Sequence, residues 1–149
     1  MKKDIDFINL AIQYAKESVD NGEYPFGAVV VKDGQVVGDS RFNFSKYAGN
    51  LNHAEICAIV NACENLKTDT LAGCVLYSSC KPCGLCMGAI KWAEIKEIHY
   101  AMDKSDAREI GYADEIFFDD AAPVSEHKIT AADLPGYMKD WYDKKVISD

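Results

Sequence analysis

Apolar positions along the chain switch between helical and strand spacing, and this pattern predicts the order of the elements. Over residues 4–20 the apolar side chains recur every three or four positions, as in an amphipathic helix that ends at an Asn21-Gly22 cap. The apolar runs FGAVVV and VVG flank the short segment KDGQ. They predict a β-hairpin around an Asp33-Gly34 turn.

The second half of the pattern predicts two more strands with helices before and between them. A helix is expected from about His53 to Leu66, then the strand CVLYSS, then a helix with Pro82 in its first turn that continues through Trp92. We expect Trp92 to pack this helix against the sheet. The strand KEIHYAM, a short helix near Ala107 and a helical tail, LPGYMKDWYDKK, complete the order. This order indicates an α/β sandwich with a mixed sheet.

Length and composition point to one globular domain. The 149 residues are 48% apolar, and neither a repeat nor a low-complexity linker divides them. No apolar run is long enough for a membrane span, and the N-terminal MKKDIDFINL carries acids where a signal peptide needs an apolar core. We therefore expect a cytoplasmic protein without a membrane partner.

The charge balance indicates which class of molecule the protein binds. Sixteen basic residues against 24 acidic ones give a net charge of −8, and the basic residues are scattered along the chain. Nucleic-acid binding usually needs a basic stripe that neutralises phosphates. The composition therefore favours a small-molecule substrate over a nucleic acid.

The six cysteines fall into two groups. Three stand singly among apolar residues and are typical of small buried side chains, namely Cys57, Cys63 and Cys74. The other three, Cys80, Cys83 and Cys86, form two overlapping C-x-x-C spacings. In a cytosolic chain such a cluster indicates metal or redox chemistry before disulfides.

A zinc site needs nitrogen or sulfur ligands in a tetrahedron, and a catalytic zinc leaves one vertex for water. Cys83 and Cys86 are three residues apart on the helix expected to begin at Pro82, so they should share a face near its positive end. Cys80 precedes the proline at a strand end and should point elsewhere.

Three histidines could supply the nitrogen ligand. His99 alternates with apolar neighbours, as a strand residue does, and His127 lies in a charged segment. His53 opens a helix, with the carboxylate of Glu55 two residues further on. Taken alone, this pair is an ordinary helix start, where an acid is favoured by the helix dipole. Together, HAE and PCGLC match H-x-E…P-C-x-x-C, the signature of zinc-dependent nucleobase deaminases.

Over nearly its full length the chain resembles the cytidine deaminase-like superfamily. Its segments YPFGAVVVKDG, HAEICAI, LYSSCKPCGLCMGAIKWA and DAREIGYADEIFFDD are most similar to those of bacterial guanine deaminases. The resemblance implies a three-layer α/β/α sandwich with one zinc ion per subunit, held by His53, Cys83 and Cys86, and Glu55 as the catalytic proton shuttle. It also implies a homodimer of single-domain subunits, residues 1–149, in which a C-terminal segment of about 121–149 can be exchanged to close the partner's pocket.

The implied reaction is hydrolytic deamination of a purine base, guanine to xanthine and ammonia. Phe26 could stack on the base, although aromatics also fill cores. Asp114 could accept hydrogen bonds from purine N–H groups, although acids are usually solvated surface residues. Asn43 could bind substrate after a one-residue slip in the loop before the HAE motif.

Three positions depart from the pattern of the family. Lys81 stands before Pro82 where an acid is usual, Phe42 occupies the expected place of the substrate-binding asparagine, and Asn52 replaces a small residue before the histidine. These changes leave the metal ligands intact and keep the identity of the substrate open.

Other functions remain open alongside guanine deamination. A tRNA adenosine deaminase shares both motifs, and a cytosine, cytidine, guanosine or triazine deaminase would need only a different pocket. In another class, a structural zinc would use Cys80 as its fourth ligand. An iron–sulfur cluster would need a fourth cysteine that the C-x-x-C-x-x-C run lacks.

Overall fold

The computed structural model of the protein describes residues 2–42, 51–109, 124–127 and 134–148. The helices in these ranges are α1 (Asp4–Asp20), α2 (Ala54–Leu66), α3 (Gly84–Trp92), α4 (Lys104–Glu109) and α5 (Leu134–Ser148). The strands are β1 (Ala28–Lys32), β2 (Gln35–Asp39), β3 (Val75–Cys80) and β4 (Glu97–Met102). Their order along the chain agrees with the order predicted from the apolar pattern.

The four strands form one mixed sheet in the order β2-β1-β3-β4. β1 is antiparallel to β2 and to β3, whereas β3 and β4 are parallel. The β1–β2 turn has positive φ at both central residues, 50° at Asp33 and 76° at Gly34. This is the turn geometry that matches the twist of a tight hairpin.

The sheet is covered on both faces, and the predicted three layers are confirmed for the described residues. On one face, α1 packs against the side chains that β1 and β3 direct towards it, in a cluster of Phe7, Tyr14, Val29, Val31 and Tyr77. On the other face, α2 and α3 pack against the alternate side chains, with a core that includes Ala28, Val30, Ala58, Leu76 and Ile90. The alternation follows from the two-residue repeat of a strand.

Helix α2 lies unusually close to β2. A Cβ atom placed on Gly38 would lie 2.5 Å from the carbonyl oxygen of Ala58 and 2.5 Å from the backbone nitrogen of Ala62. Only a residue without a side chain fits between this strand and this helix. The contact sets the height at which α2 sits over the sheet, and α2 carries part of the candidate site.

Two expectations about α3 were wrong. The helix begins at Gly84 rather than at Pro82, because Cys83 has the extended backbone of an N-cap, with φ −72° and ψ 178°. Trp92 does not pack against the sheet and is 89% exposed. The buried stripe of α3 runs through Cys86 and Ile90, four residues apart, and this spacing turns Trp92 outward.

None of the described helices has the length and apolar character that crossing a bilayer requires.

Candidate metal centre and active site

The candidate residues meet where two helices begin beside the end of a central strand. His53 is the N-cap of α2, and Cys83 is the N-cap of α3. Cys86 lies in the first turn of α3, and β3 ends at Cys80, three residues before Cys83. Both helices direct their positive ends towards this region, and this polarity favours thiolate anions there.

The side chains of His53, Cys83 and Cys86 form a compact cluster, hereafter the cysteine–histidine cluster. His53 Nδ1 lies 3.4 Å from Cys83 Sγ and 3.3 Å from Cys86 Sγ. All three candidate ligand atoms lie within 4.8 Å of one another, and both cysteines are buried. Within residues 2–42, 51–109, 124–127 and 134–148, no other three His, Cys, Asp or Glu side chains are grouped in this way.

The spacing of the cluster fits a zinc ion. With Zn–S bonds of about 2.3 Å and Zn–N bonds of about 2.0–2.1 Å, a tetrahedral centre has N···S edges of about 3.6 Å. The observed separations of 3.3 and 3.4 Å are close to that edge. One imidazole and two thiols are also a donor set that zinc prefers, and three protein ligands leave a vertex for water.

Cys80 and the other two histidines do not join the cluster. Cys80 is the buried last residue of β3, paired with Met102 of β4, and its thiol is not among the grouped ligand atoms. His99 stacks on Tyr77 with 5.0 Å between the ring centroids, and His127 is an exposed residue beside Ser125. The described residues therefore bring together three donors rather than the four of a structural zinc site.

The two thiols of the cluster have opposite pKa shifts. The pKa of Cys83 falls to about 4, mainly because the thiol of Cys86 donates a hydrogen bond to it and secondarily because of His53. The pKa of Cys86 is raised far above its ordinary value, first by that same hydrogen bond to Cys83, then by burial and by the charge of Glu55. Without a metal, Cys86 thus keeps its proton, and Cys83 carries the thiolate.

Glu55 lies beside the cluster in the first turn of α2, and only 5% of it is exposed. Its Oε2 is 3.2 Å from Cys86 Sγ, and its Oε1 is 2.6 Å from the hydroxyl of Ser78. A buried carboxylate next to a metal site is well placed to move protons.

Ser78 is a site residue that the sequence reasoning did not identify. It belongs to β3 and is completely buried. The available signal was the two-residue repeat of the strand, which places Ser78 on the same face as the core residue Leu76. A hydroxyl in the middle of an apolar face needs a buried polar partner, and here the partner is Glu55.

The predicted substrate residues are only partly within the described structure. Phe26 is half-buried and lies two residues before β1. Gly27 follows it and is held to Ser79 by hydrogen bonds of 2.9 and 3.0 Å, which places this backbone beside the end of β3. Asn43 and Asp114 lie outside the described residues, and their roles stay predictions.

Of the three departures from the family pattern, Asn52 directly precedes His53, and Lys81 lies two residues before Cys83. Lys81 has an exposed side chain, and its backbone N–H donates to the carbonyl oxygen of Met102 at 2.7 Å. The amide oxygen of Asn52 lies 3.8 Å from the thiol of Cys57, and Phe42 is half-buried after β2. The positive charge of Lys81 is therefore solvated.

Comparison with known proteins relates this arrangement to an enzyme family. Residues 1–102 match the cytidine and deoxycytidylate deaminase zinc-binding region. The chain is 38% identical over 123 residues to a guanine deaminase of Bacillus subtilis (strain 168), covering 82% of this chain and 79% of that protein. It is 34% identical over 99 residues to a tRNA-specific adenosine deaminase of Aquifex aeolicus (strain VF5), covering 66% of each. The crystal structure of the guanine deaminase from Bacillus subtilis superimposes with a TM-score of 0.84 over 95% of both chains, at 32% identity.

Proposed function

Because the chain belongs to the family of zinc-dependent deaminases with the cytidine and deoxycytidylate deaminase zinc-binding region, we propose that it hydrolyses guanine to xanthine and ammonia. One observation carries the proposal: a buried carboxylate, Glu55, lies against a cysteine–histidine cluster with zinc-like spacing. The choice of guanine rests on the similarity to the Bacillus subtilis guanine deaminase in sequence and in fold.

We assign the metal site to His53, Cys83 and Cys86, with one zinc ion per subunit. When bound, zinc supplies a water activated for attack at neutral pH. The protein holds the three ligands by the starts of α2 and α3, and it buries both cysteines so that bulk water is kept from their sulfurs. The low pKa of Cys83 prepares one of the two sulfurs as a thiolate before any metal arrives.

Glu55 is the proposed catalytic acid and base. Its Oε2 faces the cluster, so this oxygen takes a proton from the attacking water and delivers protons to a ring nitrogen and to the departing amine. The hydrolysis forms a bond from the water oxygen to C2 of guanine and breaks the bond from C2 to the exocyclic amino nitrogen, and the two water protons end on a ring nitrogen and on the departing ammonia. Glu55 returns to its starting state after each turnover.

The proposed substrate contacts are Phe26, Asn43 and Asp114. Phe26 would wall or stack on the base, Asn43 would hydrogen-bond to its edge, and Asp114 would accept from purine N–H groups. These three assignments come from the resemblance to bacterial guanine deaminases. For Phe26, the position next to Gly27 and the end of β3 supports it.

We also propose that the protein is a cytoplasmic homodimer in which the segment of about residues 121–149 crosses to the partner. The exposed aromatic side chains of α5 support this assignment, with 66% exposure at Tyr137, 53% at Trp141 and 61% at Tyr142. Such side chains on a lone helix usually mark a contact surface. Light scattering coupled to gel filtration tests it: a mass near twice that of the 16.5 kDa chain is expected, and a monomer at micromolar concentration contradicts it.

A second candidate function is deamination of adenosine in tRNA. The 34% identity to the Aquifex aeolicus tRNA-specific adenosine deaminase favours it. The net charge of −8 weighs against it, because RNA affinity rests largely on phosphate neutralisation.

An ammonia-release assay with a substrate panel tests the proposal. Guanine, guanosine, adenine, cytosine, cytidine and an anticodon stem-loop are offered to the zinc-loaded wild type and to Glu55→Gln. Glu64→Gln is the matched control, since Glu64 is an exposed acid on the same helix. We expect guanine to be the best substrate and Glu55→Gln to lower kcat by about 10²–10⁴-fold with its zinc retained.

Each alternative result has a definite meaning. Guanine turnover that survives Glu55→Gln contradicts the role of the carboxylate. Turnover of the stem-loop alone replaces the proposed substrate with the second candidate. Equal losses in Glu55→Gln and Glu64→Gln show a general effect of charge on α2 rather than proton transfer.

A further inference from the structure

The hydroxyl of Ser78 touches two groups that differ in chemistry. Its Oγ lies 2.6 Å from Glu55 Oε1 and 2.7 Å from the carbonyl oxygen of Cys80. Ser78 and Glu55 are also the two buried polar side chains among the described residues. A serine hydroxyl carries a single proton and can accept as well as donate, whereas a carbonyl oxygen only accepts.

This combination allows the contact to persist throughout a proton-transfer reaction. When the carboxyl of Glu55 is ionised, the hydroxyl of Ser78 donates to Oε1. The distance of 2.6 Å is typical of a hydrogen bond to a charged acceptor. When Oε2 takes up a proton, Oε1 is still an acceptor for the hydroxyl, and the carbonyl of Cys80 is a second acceptor to which the hydroxyl can turn. Neither arrangement leaves a buried polar atom without a partner.

Ser78 lies on one of the two inner strands of the sheet. β3 is paired on both sides, and Ser78 lies opposite Ala28 of β1 and Tyr100 of β4. A glutamate side chain has three torsions, and holding it in one geometry costs conformational entropy, which a hydrogen bond to a fixed partner offsets. With Oε1 bound to a central strand, Oε2 is directed towards Cys86 and the cysteine–histidine cluster.

We propose that Ser78 is a positioning residue for Glu55: it holds one carboxylate oxygen so that the other faces the reacting water and amine. The inference rests on the proposed function, because it assigns Ser78 a part in the deamination that Glu55 performs. The hydroxyl of Ser78 bonds to Glu55 and to the carbonyl oxygen of Cys80, not to the cysteine–histidine cluster, so its effect on the rate passes through Glu55.

Steady-state kinetics on Ser78→Ala test the proposal. We expect kcat to fall about 10–100-fold, as for outer residues that orient a metal site, with KM within about twofold of wild type and full zinc content. Thr70→Ala is the control, because Thr70 is exposed and its hydroxyl bonds to Glu94, which follows the C-terminal end of α3 and lies away from the cluster. Its kcat should stay within about twofold of wild type on the same reasoning. Equal kcat values in the two variants overturn the proposal, as does a rise in KM alone.

A second pair of variants covers the case in which Ser78→Ala folds poorly. Ser78→Thr and Ser78→Val have nearly the same shape, and only the threonine keeps a hydroxyl. The threonine variant should retain kcat within about threefold of wild type, while the valine variant should lose about 10–100-fold as alanine does. Equal loss in both variants would show that packing, not the hydroxyl, matters, and this overturns the proposal.

A double-mutant cycle in zinc-free protein measures the contact without any activity. Urea unfolding is compared for wild type, Ser78→Ala, Glu55→Ala and the double variant. The losses of unfolding free energy in the two single variants should not add up in the double variant. The coupling should correspond to about a tenfold change in the unfolding equilibrium constant, and additive losses contradict the contact. If the wild type deaminates none of the panel substrates, the proposed function fails. If the wild type is active and Ser78→Ala keeps its kcat, only the positioning role fails.

Discussion

The cysteine–histidine cluster and helix α5 are opposite kinds of region within one chain. The cluster is buried, its atoms lie at defined short distances, and its carboxylate neighbour is bonded to the central strand of the sheet. Helix α5 presents aromatic side chains that are more than half exposed, among them Trp141 and Tyr142. In the first region every polar group has a partner inside the chain, whereas in the second the apolar side chains lack cover from the described residues.

This difference distinguishes the part of the protein that is proposed to carry out the chemistry from the part that is proposed to close the pocket. The groups proposed for the chemistry are assembled by the fold of a single chain, since α2, α3 and β3 pack together in one core. Under the proposed exchange of the C-terminal segment, the exposed aromatic side chains of α5 would close the partner's pocket from outside that core. The chemistry and the closure should therefore respond independently to substitution.

The largest expected effect is on metal binding when a sulfur of the cluster is removed. Cys86→Ser should lower zinc affinity by at least about a hundredfold, more than the loss of an outer residue causes, because a thiolate ligand is lost. Cys74→Ser is the control, since Cys74 is equally a buried cysteine but packs in the core away from the cluster. Zinc affinity measured by chelator competition should be unchanged in the control. Similar zinc loss in both variants would contradict the assignment of ligands.

A smaller effect is expected from moving the helix that carries His53 and Glu55. Gly38→Ala forces a Cβ atom to within 2.5 Å of the backbone of α2, so the free energy of unfolding should fall by about 1–3 kcal/mol. Gly88→Ala is the control, because nothing lies within 4 Å of its Cβ position in α3, and it should be stabilising by about 0.4–1 kcal/mol. Urea unfolding measures both. Equal stabilities would show that α2 does not depend on the close approach to β2.

The pH dependence of zinc binding follows from the opposite pKa shifts of the two thiols. Above about pH 4 Cys83 is already a thiolate, while Cys86 keeps its proton because its pKa is raised. Zinc must therefore displace one thiol proton, and affinity should rise about tenfold per pH unit between about pH 7 and 8.5. Chelator competition across this range gives the slope. A hundredfold rise per unit would mean that both thiols are protonated beforehand.

The smallest effect on zinc affinity is expected from a substitution in the exposed helix α5. Trp141→Ala should change zinc affinity by less than about twofold, because surface substitutions away from a buried network usually change free energies by at most about 0.5 kcal/mol. The same variant should raise KM for guanine if α5 of the partner closes the pocket. A loss of zinc affinity comparable to that of Cys86→Ser would show that α5 and the cysteine–histidine cluster do not respond independently to substitution.

The proposed metal ligands could be named from the sequence because their signal is local. His53 and Glu55 are two residues apart, Cys83 and Cys86 are three apart, and each pair lies at the start of a helix that periodicity locates. The helices and strands were predicted for the same reason. The exact start of α3 was not, because a proline fits either the first turn of a helix or the residue before its N-cap.

Two features required the packed structure. The partner of Ser78 is 23 residues away in sequence, on a helix that meets the sheet through the close approach at Gly38 and through its core side chains. The exposure of Trp92 depends on which face of α3 meets the sheet, and a lone tryptophan in a mostly apolar helix does not reveal this. Both features depend on how the helices pack against the sheet, and the local periodicity of the sequence does not encode this packing.

X-ray absorption spectroscopy at the zinc edge of the purified protein tests the central claim most directly. With His53, Cys83 and Cys86 as the ligands, the spectrum should show two sulfurs at about 2.3 Å and two nitrogen or oxygen atoms at about 2.0–2.1 Å. A third sulfur in the shell would mean that Cys80 closes the site, and the open position on which the proposed hydrolysis depends would not exist.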